Sequence, residues 1–304
     1  MKCLLLSICE RRGRVMDKIK GKDIEKFYFQ KRSVRIFALF SGLICAALFS
    51  IATVAELELE KGVYSQSAVF APIAEIACVL LCFVSAVLCF ILVPKEKESE
   101  SLFPEENRYH FYFRFDPVPL KAVRYVTALV IFLEGMADFI IIFSGAERYI
   151  LPPVLEVVRL LAAFALTLYF VPEIADISEA FFGKIHLYCG SAGVLWFFIT
   201  IIREYFATDT PFSSSYRIME QIVLVTCLLG LIFDIKLRTG AFSVKRRLAF
   251  LSVGFIAGFG FNFARVMMML FGKMPSASDM VLLFVELAIS IYFGAKLVFY
   301  SDVY

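Results

Sequence analysis

Two carboxylates four residues apart, Glu134 and Asp138, lie inside a long apolar run and are the first candidates for chemistry. On a helix this spacing places both side chains on the same face. Two carboxylates so close together in a surrounding of low dielectric repel each other when both are ionised, so one of them keeps a proton more easily. Such a pair suits cation binding or proton coupling. The alternative is that each carboxyl faces its own structural partner, such as Arg265, and locks neighbouring helices together.

Further charged side chains lie within apolar runs, where a charge is costly and marks a functional candidate by default. They are Glu75, Glu156, Arg159, Arg265 and Glu286, with Asn262 as a polar neighbour. Glu156 and Arg159 are three residues apart and are spaced to pair on one helix. That pair either contributes to a ligand site or fixes the depth of its helix in the membrane.

Several other residues have types and spacings that favour structural roles. Gly254 and Gly258 have the spacing of a small-residue packing face, which would bring Arg265 and Asn262 towards a carboxylate of a neighbouring helix. Arg203, Glu220 and Lys296 lie near span ends, where such side chains anchor a helix at the interface. The stripe of Cys78, Cys82 and Cys89 contains no CxxC pair and is typical of packing residues.

The sequence lacks the signatures of several enzyme classes. It has only two histidines, His110 and His186, and no phosphate-binding glycine loop, HExxH or GxSxG motif. No metal site and no cofactor are predicted. A basic segment attached to a membrane span favours anionic lipid over nucleic acid as its partner.

The elements that must position these residues follow from composition. The chain has 304 residues, of which 60% are hydrophobic and 19% charged, and its mean hydropathy is +0.79. Soluble domains average about 45–50% apolar and about 25% charged residues. We therefore predict an all-α, polytopic membrane bundle, with one membrane domain over 36–304 after a basic segment, 1–35. Eight apolar runs predict spans near 36–55, 68–93, 122–144, 153–171, 185–202, 218–235, 248–271 and 280–299.

The distribution of basic residues predicts the orientation. One side of the predicted membrane domain carries 24 Lys and Arg residues and the other carries 5. The positive-inside rule then places both termini in the cytoplasm, with the chain in the cytoplasmic membrane. In this orientation nearly all candidate charges fall in the outer half of the membrane, and we expect the inner half to be almost wholly apolar.

Three further expectations concern chain organisation and partners. Glu75, Glu156, Glu220 and Glu286 each follow the outer end of an even-numbered span, which indicates tandem two-helix hairpin repeats unless charged loops alone produce the period. The segment 1–15 is either translated or precedes a natural start at Met16. The expected partners are the lipid bilayer, anionic lipid at the basic N-terminus, and a protein at the 94–121 loop.

These features together favour a binding function over catalysis. Five intramembrane carboxylates against two arginines attract positive charge, which predicts a transporter, or its membrane subunit, for a small cationic or zwitterionic solute. The alternative is a sensory or assembly module that signals through a partner protein. An enzyme that acts through Glu134 and Asp138 is the third possibility.

Overall fold

The computed structural model describes residues 21–58, 63–64, 68–93, 118–144, 151–172, 180–206, 215–238, 244–270 and 277–299. These residues form eight α-helices and one pair of two-residue strands. The helices are α1 (Gly21–Glu56), α2 (Phe70–Leu92), α3 (Val118–Ser144), α4 (Pro153–Phe170), α5 (Ala180–Phe206), α6 (Ser215–Arg238), α7 (Val244–Leu270) and α8 (Ala277–Phe299). The strands β1 (Leu57–Glu58) and β2 (Val63–Tyr64) pair antiparallel between α1 and α2.

Each helix contains a stretch that is long and apolar enough to cross a bilayer. The predicted all-α bundle of eight spans is therefore confirmed, and the chain is a multi-pass membrane protein. The main difference lies at the start, because α1 begins 15 residues before the predicted first span at 36. The proposed start at Met16 and the predicted partner loop, apart from 118–121, lie outside the described residues.

Six helices form a closed ring. Helices α3 to α8 each pack against the next one along the chain, and α8 packs back against α3. Helices α1 and α2 pair with each other and pack on α7 from outside this ring. Helix α7 thus contacts α1, α2, α6 and α8, so it connects the ring to the outer pair of helices.

The burial of the helices agrees with this arrangement. Only 17% of the apolar window of α2 is buried, against 72% for α8. Large apolar side chains of α2 such as Ile76 and Phe83 are exposed and face the lipid. A charge on α8, in contrast, lies inside protein and needs a protein partner.

Two glycines set the distance between α7 and its neighbours. A Cβ atom on Gly258 would lie 2.0 Å from Ser290 Oγ of α8, and one on Gly254 would lie 3.0 Å from the ring of Phe293. A side chain at Gly258 requires Ser290 to rotate away or the helices to move apart, and Ser290 Cβ at 3.1 Å and Cys227 Sγ at 3.3 Å leave little further space. The predicted packing face of Gly254 and Gly258 is confirmed.

Glu56 terminates α1 and caps the next helix. Its carboxylate accepts hydrogen bonds from the backbone N–H groups of Val69, Phe70 and Ala71 at 2.7, 2.9 and 2.8 Å. These groups belong to the start of α2, where backbone N–H groups lack helical partners. Glu56 therefore fixes the position of α2 against α1.

Candidate functional site

Charged side chains gather at one end of the ring, where α3, α5 and α7 finish and α4, α6 and α8 begin. We call this the outer end and the opposite one the inner end, after the orientation predicted from the sequence.

The first cluster surrounds Arg159 of α4. Its Nη1 lies 2.8 Å from Glu134 Oε1, its Nη2 pairs with Asp138, and its Nε lies 3.4 Å from Glu156 Oε2. The Arg159 side chain is only 3% exposed, so these pairs are screened little by solvent. Glu134 and Asp138 do share a face, and the expected Glu156–Arg159 pair is present. Arg265 as the structural partner of Glu134 is wrong, because Arg159 occupies that position.

Helix α5 extends this cluster. Arg203 lies 3.7 Å from Glu156 through its Nε and 3.6 Å from Glu204 through its Nη1. Its side chain is 13% exposed. The interpretation of Arg203 as an interfacial anchor is therefore wrong, since its guanidinium points to carboxylates within the bundle.

The second cluster surrounds Arg265 of α7. Its Nη2 lies 2.8 Å from Glu220 Oε1 of α6, and its Nη1 lies 3.9 Å from Glu286 Oε2 of α8. Asn262, one turn earlier on α7, is fully buried beside Glu286. The expectation that close packing of α7 brings Arg265 and Asn262 to a neighbour's carboxylate is confirmed. Glu220 is an ion-pair partner and not the predicted anchor.

The two clusters form one layer, which we call the outer belt. Its members are Glu134 and Asp138 of α3, Glu156 and Arg159 of α4, Arg203 and Glu204 of α5, Glu220 of α6, Arg265 of α7, and Glu286 of α8. Every helix of the ring contributes at least one member. Glu204, which belongs to the first cluster, also lies within electrostatic range of Glu286 in the second, and the two carboxylates repel each other when both are ionised. Seven of the eight residues predicted for the site belong to the belt or, in the case of Asn262, contact it.

Glu75 is the exception among the predicted site residues. It is half-buried on α2, and α2 lies outside the ring. Its helix packs against α1 and α7, and one of its carboxylate oxygens is buried.

A second polar layer lies near the inner end and was not predicted. Asp234 of α6 is fully buried, and its Oδ2 accepts hydrogen bonds from the hydroxyls of Tyr169 at 3.0 Å and Tyr292 at 2.8 Å. Its Oδ1 lies 2.5 Å from Lys296 Nζ and 3.5 Å from Arg247 Nη2. We call these five residues the inner network. They join α4, α6, α7 and α8 across the ring.

The inner network corrects two expectations. The inner half of the bundle is not wholly apolar, and Lys296 is not an interfacial anchor, since its side chain is 7% exposed and paired with Asp234. His186 of α5 adds a further buried polar side chain by stacking on Tyr169, with ring centroids 4.7 Å apart. The sequence signal for this network was Asp234, which lies one residue before the end of the predicted span 218–235. A charge in that position is ordinarily taken to mark the end of a helix.

The described cysteines form neither disulfides nor a metal-binding cluster. Cys45, Cys78, Cys82, Cys89, Cys189 and Cys227 are free thiols. Within the parts of the chain that the structure describes, no group of three or more His, Cys, Asp or Glu side chains has an arrangement that could hold a metal ion.

Compared with known proteins, the chain matches no family model, no curated protein and no solved structure.

Proposed function

We propose that this membrane protein binds a small cationic or zwitterionic solute at the outer belt and transports it, alone or as the membrane subunit of a transporter. The solute would lie inside the ring, between the Arg159 cluster and the Arg265 cluster. Its positive group would be recognised by carboxylates, and an anionic end, where present, by Arg159 or Arg265.

The excess of carboxylates in the belt carries this proposal. Six carboxylates there share three guanidinium groups, and the guanidinium of Arg217 on α6, buried beside them against the carbonyl oxygens of Glu204 and Tyr205, still leaves the described acids in excess by six to four. In a surrounding of low dielectric, an ammonium group about 4 Å from one carboxylate gains about 4 kcal/mol at an effective dielectric constant of about 20. A positive ligand would therefore lower the energy of the belt, whereas a purely anionic ligand would raise it.

The position of the belt supports a site that is reached from one side. Asp138, the belt carboxylate nearest the end of α3, has a side chain that is 12% exposed, against 4% for Glu134 one turn deeper. At the inner end, the inner network holds α4, α6, α7 and α8 together around Asp234. Transport would require these ion pairs to open while the outer end closes, as alternating access demands.

Uptake into proteoliposomes tests the proposal. The purified protein is reconstituted and supplied with a panel of labelled amines, amino acids and inorganic cations, and the Asp138→Asn variant is measured beside it. We expect uptake of at least one cationic or zwitterionic compound, and a loss of about tenfold in its apparent affinity in Asp138→Asn, equivalent to about 1.4 kcal/mol. Glu56→Gln, which changes a carboxylate outside the ring, should leave uptake unchanged.

One observation favours a second candidate, a sensory module. The inner network closes the inner half with a buried carboxylate that contacts three other helices, and a receptor needs no pathway through that layer. A compound of the panel that raises the melting temperature of the wild-type protein but not of Asp138→Asn, and that is never taken up, would establish this second function and exclude transport. A panel in which no compound binds would contradict both.

A further inference from the structure

Glu286 is the least satisfied charge of the outer belt. It is fully buried on α8, and neither of its carboxylate oxygens accepts a hydrogen bond of ordinary geometry. The nearest cationic atom is Arg265 Nη1, at 3.9 Å from Oε2. Leaving an ionised carboxylate in the bundle with so little compensation costs several kcal/mol.

Arg265 cannot supply the missing compensation, because it is held more closely by another carboxylate. Its Nη2 lies 2.8 Å from Glu220, which is 19% exposed and so keeps some solvation. The guanidinium of Arg265 is thus shared by two carboxylates, and it lies closer to Glu220, the more exposed of the two. Binding a proton would remove the cost of burying the second acid, Glu286, as neutralisation does for buried charges generally.

Asn262 is placed to hold such a proton. Its side chain is fully buried beside Glu286, and its amide oxygen and nitrogen make no hydrogen bond of ordinary geometry. A protonated carboxyl group gains an O–H donor, which the amide oxygen of Asn262 can accept. A proton on Glu286 would thus supply a donor for the amide oxygen of Asn262, which accepts no hydrogen bond of ordinary geometry, in addition to the contact that the Asn262 amide already makes with Glu286.

Helices α5 and α6 bring two further acids towards Glu286, and the guanidinium groups described on these two helices are engaged elsewhere. Arg203 lies near Glu156 and Glu204, and Arg217 donates hydrogen bonds to the backbone carbonyl oxygens of Glu204 and Tyr205. Helix α6 brings Glu220 and the thiol of Cys227, and α5 brings Glu204 into electrostatic range. Helix α3 meets α8 through the Thr127 hydroxyl, which lies 3.3 Å from the Ala288 carbonyl oxygen.

The ionisable groups that remain on the packed helices lie elsewhere or are already paired. On α3, Glu134 and Asp138 are bound to Arg159. The described spanning part of α1 carries Cys45 in its middle and Glu56 at the outer end. Its basic residues are at the inner end, as are the remaining basic residues of α3 and α7.

We propose that Glu286 is a proton-binding site of the bundle, occupied at neutral pH while Glu220 holds Arg265. Loss of the proton would create a second carboxylate that competes for the same guanidinium, so Arg265 would move from Glu220 towards Glu286. This exchange gives the belt two states that differ by one proton. The inference does not depend on the proposed solute, because the proton itself is the ligand.

Infrared difference spectroscopy of the purified full-length protein tests the proposal directly. A protonated carboxyl group has a carbonyl stretch separate from that of a carboxylate, so the wild-type spectrum at neutral pH minus that of Glu286→Gln should contain this band. Because glutamine resembles a neutral glutamic acid in size, Glu286→Gln should fold and melt at or above the wild-type temperature. The matched variant Glu220→Gln frees Arg265 to ionise Glu286, so it should lose the same band. Glu56→Gln should keep it, since that carboxylate is paired with backbone N–H groups outside the ring.

Each alternative result has a definite meaning. A difference spectrum without the acid band would show that Glu286 is ionised and would overturn the proposal. A Glu286→Gln protein that does not fold would also overturn it, because the charge itself would then be essential. An acid band that persists in Glu220→Gln would contradict the exchange of Arg265 between the two acids. None of these results bears on solute uptake, which the proteoliposome experiment measures separately.

Discussion

Replacement of Arg159 by glutamine should be among the most damaging single changes in the outer belt. Arg159→Gln removes a guanidinium that pairs with Glu134, Asp138 and Glu156, of which Glu156 keeps its longer contact with Arg203. The side chains of these three acids are 4%, 12% and 7% exposed. Removing one partner of a buried ion pair costs about 3–5 kcal/mol, because the other charge stays behind in a surrounding of low dielectric.

Arg203→Gln provides the matched control on the next helix. Arg203 lies 3.7 Å from Glu156 and 3.6 Å from Glu204, and its side chain is 13% exposed against 3% for Arg159. Because its contacts are longer and its side chain is more exposed to solvent, replacing Arg203 should lower the free energy of unfolding by only about 1 kcal/mol. The difference between the two variants therefore measures how much tight burial adds to the Arg159 pairs.

Thermal unfolding in detergent is the assay. At roughly 2–4 °C per kcal/mol, Arg159→Gln should lower the melting temperature by roughly 6–20 °C and Arg203→Gln by a few degrees. Neutralising two of the stranded acids, in Arg159→Gln with Glu134→Gln and Asp138→Asn, should recover most of the loss. Equal melting temperatures for the two single variants, or a triple variant less stable than Arg159→Gln alone, would refute the reasoning.

Three further predictions concern the inner network, the helix packing and the orientation. Asp234→Asn strands buried lysine and arginine partners, so its melting temperature should fall by several degrees, and a change within measurement error would contradict a paired inner network. Gly258→Ala places a methyl group against Ser290, so the free energy of unfolding should fall by about 1–3 kcal/mol, as at other overpacked sites. A variant as stable as the wild type would show that α7 and α8 are not so close. A reporter active only in the cytoplasm should work when fused at Tyr304, and one active only outside should work near Ser276, whereas the reverse would overturn the predicted orientation.

The fold was predictable because its signal is repeated eight times. Each span is an apolar run long enough to cross the hydrocarbon layer, and backbone hydrogen bonding in lipid then leaves a helix as the only structure for it. The closed order of α3 to α8 was not predictable, because lipid-facing and protein-facing apolar side chains are chemically alike. The helix-helix contacts of the structure give this order, and the low burial of α2 against the high burial of α8 agrees with it.

The candidate site was predictable in its members and less so in its pairings. Charged residues within apolar runs are visible in the sequence, and seven of the eight predicted site residues lie at one level of the bundle in the structure. The choice of Arg159 over Arg265 as partner of Glu134 depends on the order of helices in the ring, which spacing along the chain does not encode. Asp234 was missed and Lys296 was interpreted as an anchor because both lie close to span ends, where a charge ordinarily reaches water.

The central claim, that the outer belt is an acidic site open from outside, is tested most directly by charged thiol reagents. A cysteine at Asp138 is labelled on intact cells with membrane-impermeant cationic and anionic reagents, and Ser144→Cys at the exposed end of the same helix is the control, with the unsubstituted protein as background. The remaining belt carboxylates should make the cationic reagent react at Asp138→Cys about tenfold faster or more, equivalent to about 1.4 kcal/mol of attraction, with little preference at Ser144→Cys. Equal rates for the two reagents at Asp138→Cys, or labelling only from the cytoplasmic side, would contradict the account.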